Sequence, residues 1–243
     1  MFLRLQNPNI FTGSVAHYSV KPDSEALSKT ASDFISRDVM RTYSPKRRLD
    51  FVAGRYCALK ALEKSGVKNC RGIGVRTNGA PDWPQGWTGS ITHTDGFASA
   101  AVVRADSLHG LGIDSERVMT RETADEVAGL SLLPSEIQRW ENQLQKALSF
   151  ESYVTLIFSA KESVYKCLNP IIGRFLEFHD VEILTANIPT GKFCVNMIEK
   201  ISEVPCEGRS LNGIFAIAQP YIHTAVEMAH NPNHCKAVSA AAR

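Results

Sequence analysis

Hydrophobic and polar positions divide this chain into two helical stripes and a series of short strand-like runs. In "YSPKRRLDFVAGRYCALKALEKSGV", Phe51, Ala58, Leu59 and Leu62 recur at helical spacing. Ser44 suits the N-cap, Pro45 the first helical position, and Gly66 the end of the helix. "ESYVTLIFSAKESVYKCLNPIIG" carries the second stripe and is expected to end before Pro170 and Gly173. "GSVAHYSV" (13–20), "GSITH" (89–93), "FASAAVVR" (97–104) and "GLGIDSERV" (110–118) read as strands, with "DG" (95–96) and "DSLHG" (106–110) as hairpin turns. "TADEVAGLSLLPSEIQRWENQ" reads as helix broken and restarted at Leu133–Pro134. Strands follow in "DVEILTA", "GKFCVNMI", "GIFAIAQ" and "IHTAVEM", then an unstructured tail from about residue 231.

Helix followed by strand meander thus occurs twice. This order predicts an α+β fold of two similar half-domains, 1–109 and 110–243, related by a pseudo-twofold, although no sharp sequence repeat is present. The 243 residues are 44% hydrophobic and 21% charged, enough for real cores. A net charge of only +2 argues against coating nucleic acid, so anion binding must come from local clusters. Six scattered cysteines without a CxxC pair read as reduced thiols. Neither a secretory leader nor a membrane-spanning run is visible, so a soluble, cytoplasmic protein is expected.

Within "GLGIDSER", Asp114 and Glu116 share one face of a strand, and two such close acids call for a cation between them. Acids at a strand end can also simply face water, but the apolar approach favours a half-buried site. A third carboxylate would complete an oxygen site for Mg²⁺. Glu162 and Lys166, four apart on the second helix with Lys161 beside them, form either a surface ion pair or part of that site. In "GSITHTDG", Ser90, Thr92 and His93 offer donors suited to a phosphate. Lys46, Arg47 and Arg48 in the first helix's first turn oppose the helix dipole, with Arg55 further along. A bound polyanion explains that placement better than a solvated face.

Four separated stretches, "RRLDFVAGRYCALKAL" (47–62), "GAPDWPQGWTGSITH" (79–93), "GLGIDSER" (110–117) and "FSAKESVYKCLNP" (158–170), resemble the 4′-phosphopantetheinyl transferases, nearest the enterobactin synthase component D type. The likeness spans roughly residues 40–185. It implies transfer of the phosphopantetheine arm of coenzyme A to a serine of an apo acyl or peptidyl carrier protein, with CoA bound between the halves. Adenosine 3′,5′-bisphosphate is the other product. Asp114, Glu116 and Glu162 would hold Mg²⁺, and Glu162 would also be the base. Lys166 would stabilise the leaving group with Lys161 as assistant. Arg48, Arg55, Thr92 and His93 would grip the nucleotide phosphates. Ala80 stands where surfactin-synthetase-type relatives carry a lysine, which puts one phosphate contact in doubt, and Ser115 replaces a usual valine without changing the ligand spacing. A monomer is expected, serving siderophore, fatty-acid or polyketide carriers. A Mg²⁺-dependent phosphohydrolase of CoA and a non-catalytic CoA-binding protein are the alternative classes.

Overall fold

Ser44 caps helix α1 (Pro45–Lys64), accepting the Arg47 N–H at 3.2 Å, and Gly66, at φ +88°, turns the chain out of it. The predicted stripe of Phe51, Ala58, Leu59 and Leu62 is buried. These ends were legible because each rests on local chemistry. A computed structural model describes residues 3–4, 11, 14–22, 43–77, 79–198 and 211–230; the proposed tail from 231 lies outside them.

The first sheet contains β1 (Leu3–Arg4), β2 (Ala16–Lys21), β5 (Trp87–Thr94) and β6 (Phe97–Arg104) in the antiparallel order β1-β2-β6-β5. A small hairpin of β3 (Gly74–Val75) and β4 (Pro81–Asp82) lies between α1 and β5 in sequence. Asp95–Gly96 forms the expected two-residue turn between β5 and β6, with Gly96 at φ +73°.

"DSLHG" is not a hairpin. β7 (Gly110–Arg117) pairs with β11 (Tyr221–Met228) instead of β6, so this segment carries the chain from one sheet to the other. A local turn signal cannot say which strand the chain pairs with next. The second sheet runs β7-β11-β10-β9-β8, with β8 (Val181–Asn187), β9 (Lys192–Met197) and β10 (Leu211–Ala218) forming a meander. Helices α2 (Arg121–Ser131) and α3 (Pro134–Arg139) break at Pro134 as read.

The long helix α4 (Phe150–Ile172) continues through Pro170 and stops at Gly173 (φ +66°). Only the last turn lies beyond the proline, so its missing N–H removes a single helical bond there. Each half therefore repeats one topology. An opening strand, a helix, and a closing hairpin whose last strand returns beside the first describe β2-α1-β5-β6 and, with two extra strands, β7-α4-β10-β11. The mixed helix and antiparallel sheet is the expected α+β class.

One apolar core lies between α1 and the first sheet, around Val52, Leu62 and Val102. A larger one lies under α4, around Leu156, Val164 and Val226. A third cluster, including Val103, Leu111, Ile113 and Ala225, joins the two sheets. α4 lies unusually close to β7, because a Cβ on Gly112 would fall 1.9 Å from the Ser163 carbonyl oxygen. No helix among the described residues is long and apolar enough to cross a membrane. Cys57, Cys70 and Cys194 carry thiols outside any disulfide.

Candidate active site

β5 and β7 meet edge to edge through side chains. Ser90 Oγ accepts the Ile113 N–H at 3.0 Å, and Thr92 Oγ1 accepts the Ser115 N–H at 3.0 Å. Strand periodicity aims every second residue of β5 at this seam. Thr92 Oγ1 also donates to Asp114 Oδ1 at 3.0 Å, and Thr94 Oγ1 donates to Glu116 Oε2 at 3.0 Å. The two strand acids are thereby fixed by hydroxyls of the other half.

Asp114 is 3% exposed. Lys166, reaching over from α4, donates to its Oδ1 at 2.6 Å. Its Oδ2 is buried without a hydrogen-bond partner. An orphaned carboxylate oxygen in the interior costs roughly 1–3 kcal/mol or more unless a cation or donor arrives.

The neighbouring carboxyls show the same deficit of positive charge. Burial, then the charge of Asp114, pushes Glu116 up to about 8. Glu162 is also raised, by burial first and by Asp114, against the downward pull of Lys166. Lys166 stays above its ordinary value, because Asp114, Glu162 and Glu116 together outweigh the burial that disfavours its charge.

These oxygen donors fit a hard divalent cation such as Mg²⁺, with Asp114 Oδ2 as the free ligand atom. Among the described residues, no three Asp, Glu, His or Cys side chains are already gathered as a metal cage. Mg²⁺ tolerates that arrangement, since it keeps waters and shares its shell with substrate phosphates.

Beside the acids opens a cavity of about 410 Å³ walled by α1, the β3–β4 hairpin, β5 and α4. Its cations are Arg47, Arg55, Arg76 and Lys166, with the His93 imidazole beside them; its aromatic walls are Phe51, Trp83, Trp87 and Tyr165. Arg55 is held rigidly, donating to the carbonyls of Ile73 (3.1 Å) and Gly74 (3.4 Å) with its guanidinium 4.3 Å from the Phe51 ring. Burial pushes Arg55 down to about 10, which still leaves it charged near neutrality. Arg47 Nη1 donates to His93 Nε2 at 3.2 Å. His93 is lowered by burial and then by Lys166 and Arg47, against Asp50 and Asp114. Clustered cations between flat aromatic faces suit a phosphorylated ligand carrying a planar ring.

Lys166 is bonded to Asp114, Glu116 and Glu162 both feel those two charges, and Arg55 and His93 reach the cavity wall. Three readings need correction. Arg48 Nε donates to the Tyr43 carbonyl at 2.8 Å, and Arg47 takes the wall instead. Consecutive helical residues point about 100° apart, and sequence alone does not fix that rotation. Thr92 is 1% exposed with its hydroxyl committed to Asp114 and Ser115, so it supports a carboxylate and does not face a phosphate. Lys161 is buried against Glu136 at 2.9 Å, away from the cavity.

Arg76, Trp83, Trp87 and Tyr165 were missed. Their signal was a cation and two indoles within the turn-rich loop "GVRTNGAPDWPQGWTG", and a tyrosine preceding Lys166.

Fold and site together define an α+β protein with a basic, aromatic-walled cavity adjoining, through Lys166, a buried carboxylate. Residues 36–103 match the profile of the 4′-phosphopantetheinyl transferase N-terminal domain, and residues 110–225 that of the 4′-phosphopantetheinyl transferase superfamily. The 4′-phosphopantetheinyl transferase Svp of Streptomyces mobaraensis is 35% identical over 188 residues, covering 76% of this chain and 74% of that protein. Npt of Nocardia iowensis, of the same description, is 34% identical over 195 residues, covering 76% and 83%. Enterobactin synthase component D of Salmonella typhi is 40% identical over 134 residues, covering 54% and 53%. The chain belongs to the 4′-phosphopantetheinyl transferase superfamily.

Proposed function

We propose that this protein transfers the 4′-phosphopantetheine arm of coenzyme A to a serine of an apo carrier protein, releasing adenosine 3′,5′-bisphosphate. The observation that carries the reading is the unpartnered, buried Asp114 Oδ2, on a carboxylate bonded to Lys166, which itself lines a basic, aromatic-walled cavity. In this reading residues 1–109 supply the nucleotide grip through Arg47, Arg55, Arg76 and His93. Residues 110–243 supply the acids, the base and Lys166.

Asp114, Glu116 and Glu162 would hold Mg²⁺. Bound there, the ion would neutralise pyrophosphate charge as the phosphoanhydride breaks. The carrier serine oxygen bonds to the phosphorus that bears the pantetheine arm, and the bond from that phosphorus to the bridging oxygen breaks. Glu162, whose proton affinity burial raises above the ordinary carboxylate range, accepts the serine proton. Lys166 remains protonated and faces the charge that accumulates on the leaving bisphosphate. The indole and phenol faces exclude water from the nucleotide, so that the carrier hydroxyl meets the phosphorus.

Both halves of one chain line the cavity, which supports action as a monomer. The free thiols support the cytoplasm as its compartment. Relatives named for enterobactin synthase make siderophore carriers the first substrates to try, ahead of fatty-acid carriers.

Incubation with CoA, Mg²⁺ and a panel of apo acyl and peptidyl carriers should add one phosphopantetheine to the reactive serine, read by intact-protein mass. Folded protein that leaves every carrier unmodified would overturn the proposal. Phosphopantetheine released from CoA without a carrier would identify a hydrolase instead.

A further inference from the structure

Lys161 precedes Glu162 on α4, yet its ammonium faces away from the carboxylate cluster. Its side chain is 1% exposed, and Nζ has three acceptors for its three protons. These are Glu136 Oε2 at 2.9 Å, the Ser131 carbonyl at 2.7 Å and the Phe178 carbonyl at 3.0 Å. Glu136 is as deeply buried and equally engaged. Its Oε2 also accepts the Leu133 N–H at 2.8 Å, and its Oε1 accepts the Ile183 N–H at 2.7 Å. The Tyr153 hydroxyl, one of α4's own, donates to the Glu136 carbonyl at 2.7 Å. One ion pair thus ties α4 to the end of α2, the start of α3, the Phe178 turn and β8.

Stability alone is a poor reason for such a node, because an apolar pair of similar volume commonly stabilises as well or better. Orientation is a better one. The backbone of α4 is pressed against Gly112 on one side, and the Lys161 ammonium is fixed on another. A helix held at both points cannot rotate about its axis, and Glu162, about 100° round from Lys161, inherits its direction. Lys161 and Glu162 also share the wall of a small cavity of about 50 Å³ with Tyr165.

We propose that the Lys161–Glu136 pair is a rotational lock that aims Glu162 at Asp114 and Glu116. Lys161 is then a positioning residue, although it stands next to the base. This inference rests on the transferase reading above.

The test is the double variant Glu136→Gln/Lys161→Met, which removes both charges together and leaves no unpaired ion in the interior. The lock predicts a folded protein with an unchanged KM for CoA and a kcat lower by about tenfold to a hundredfold. It also predicts a smaller rise in melting midpoint when Mg²⁺ alone is added, without CoA or carrier. Lys161→Arg, which keeps the charge and its donors, should recover most of both. A double variant with wild-type kcat and wild-type response to Mg²⁺ would reduce the pair to scaffolding and defeat the inference. A raised KM with kcat retained would also defeat it, by making Lys161 a CoA contact. Should the double variant fail to fold, Glu136→Met/Lys161→Met, an apolar pair of similar volume, decides by the same two readouts. Wild-type protein that responds to Mg²⁺ but modifies no carrier would instead defeat the transferase reading.

Discussion

The carboxylate seam and the cation cavity adjoin each other but are built in opposite ways. At the seam, carboxyls are buried and held by hydroxyl bonds from Thr92 and Thr94, with one oxygen of Asp114 left open. In the cavity, Arg47 reaches His93 and the Tyr43 ring, and Arg76 reaches the exposed Asp82. Arg55 alone is anchored deeply. A group that must stabilise a transition state gains from being fixed before the substrate arrives. One that must admit and release a large anion gains from yielding. The seam should therefore control turnover and the cavity should control affinity.

The largest expected effect is at the seam. Asp114→Ala removes the open oxygen and the partner of Lys166, and carrier modification should fall on the order of a thousandfold or more. The circular dichroism spectrum should be retained. Full transfer by this variant would remove the metal from the reading.

Arg47→Ala breaks the comparison from the other side. KM for CoA should rise about tenfold, with kcat within about twofold, because one charge-assisted contact is lost. The KM of the wild type should also climb more steeply with salt than that of the variant. A kcat defect as large as that of Asp114→Ala would erase the division of labour.

The smallest effect is a slope with pH. Glu116 sits at about 8 in the folded protein against an ordinary 4.5, so the unfolded chain releases its proton first. Its contribution to stability is complete below about 4.5 and is lost as pH rises through about 8; the raised Glu162 acts in the same sense. His17 and His223, both pushed down to about 4 by burial, act oppositely, losing stability as pH falls from 6.5. Between pH 6.5 and 8 the carboxyls dominate these opposing trends, so the melting midpoint of metal-free protein should fall across that window. Glu116→Gln, or saturating Mg²⁺, should flatten the fall. A slope unaffected by either would separate Glu116 from the cluster.

What could be read in advance follows the same physical division. Ser44, Pro45, Gly66 and the 95–96 turn were legible because each acts on backbone within a few residues of itself. Asp114, Glu116, Glu162 and Lys166 stand out in the sequence because acids and a lysine on amphipathic elements are conspicuous, and a family likeness ties them together. Which way a helix is rotated was not legible. That single unknown exchanged Arg47 for Arg48 and sent Lys161 to Glu136 instead of the cluster. Thr92 was misread for a related reason, since its partner Asp114 belongs to a strand of the other sheet. The crossing at 106–110 looked like a reversal because its neighbour is decided by residues more than a hundred positions away.

At Gly112, an absent methyl group governs the spacing of the chemistry. α4 can settle against β7 only because nothing projects from that position, and this settling carries Lys166 to Asp114. Even an alanine there would work as a wedge, lifting the whole rod that bears Glu162 and Lys166 while leaving every reactive group intact. A hydrogen atom sets the gauge between that helix and that strand.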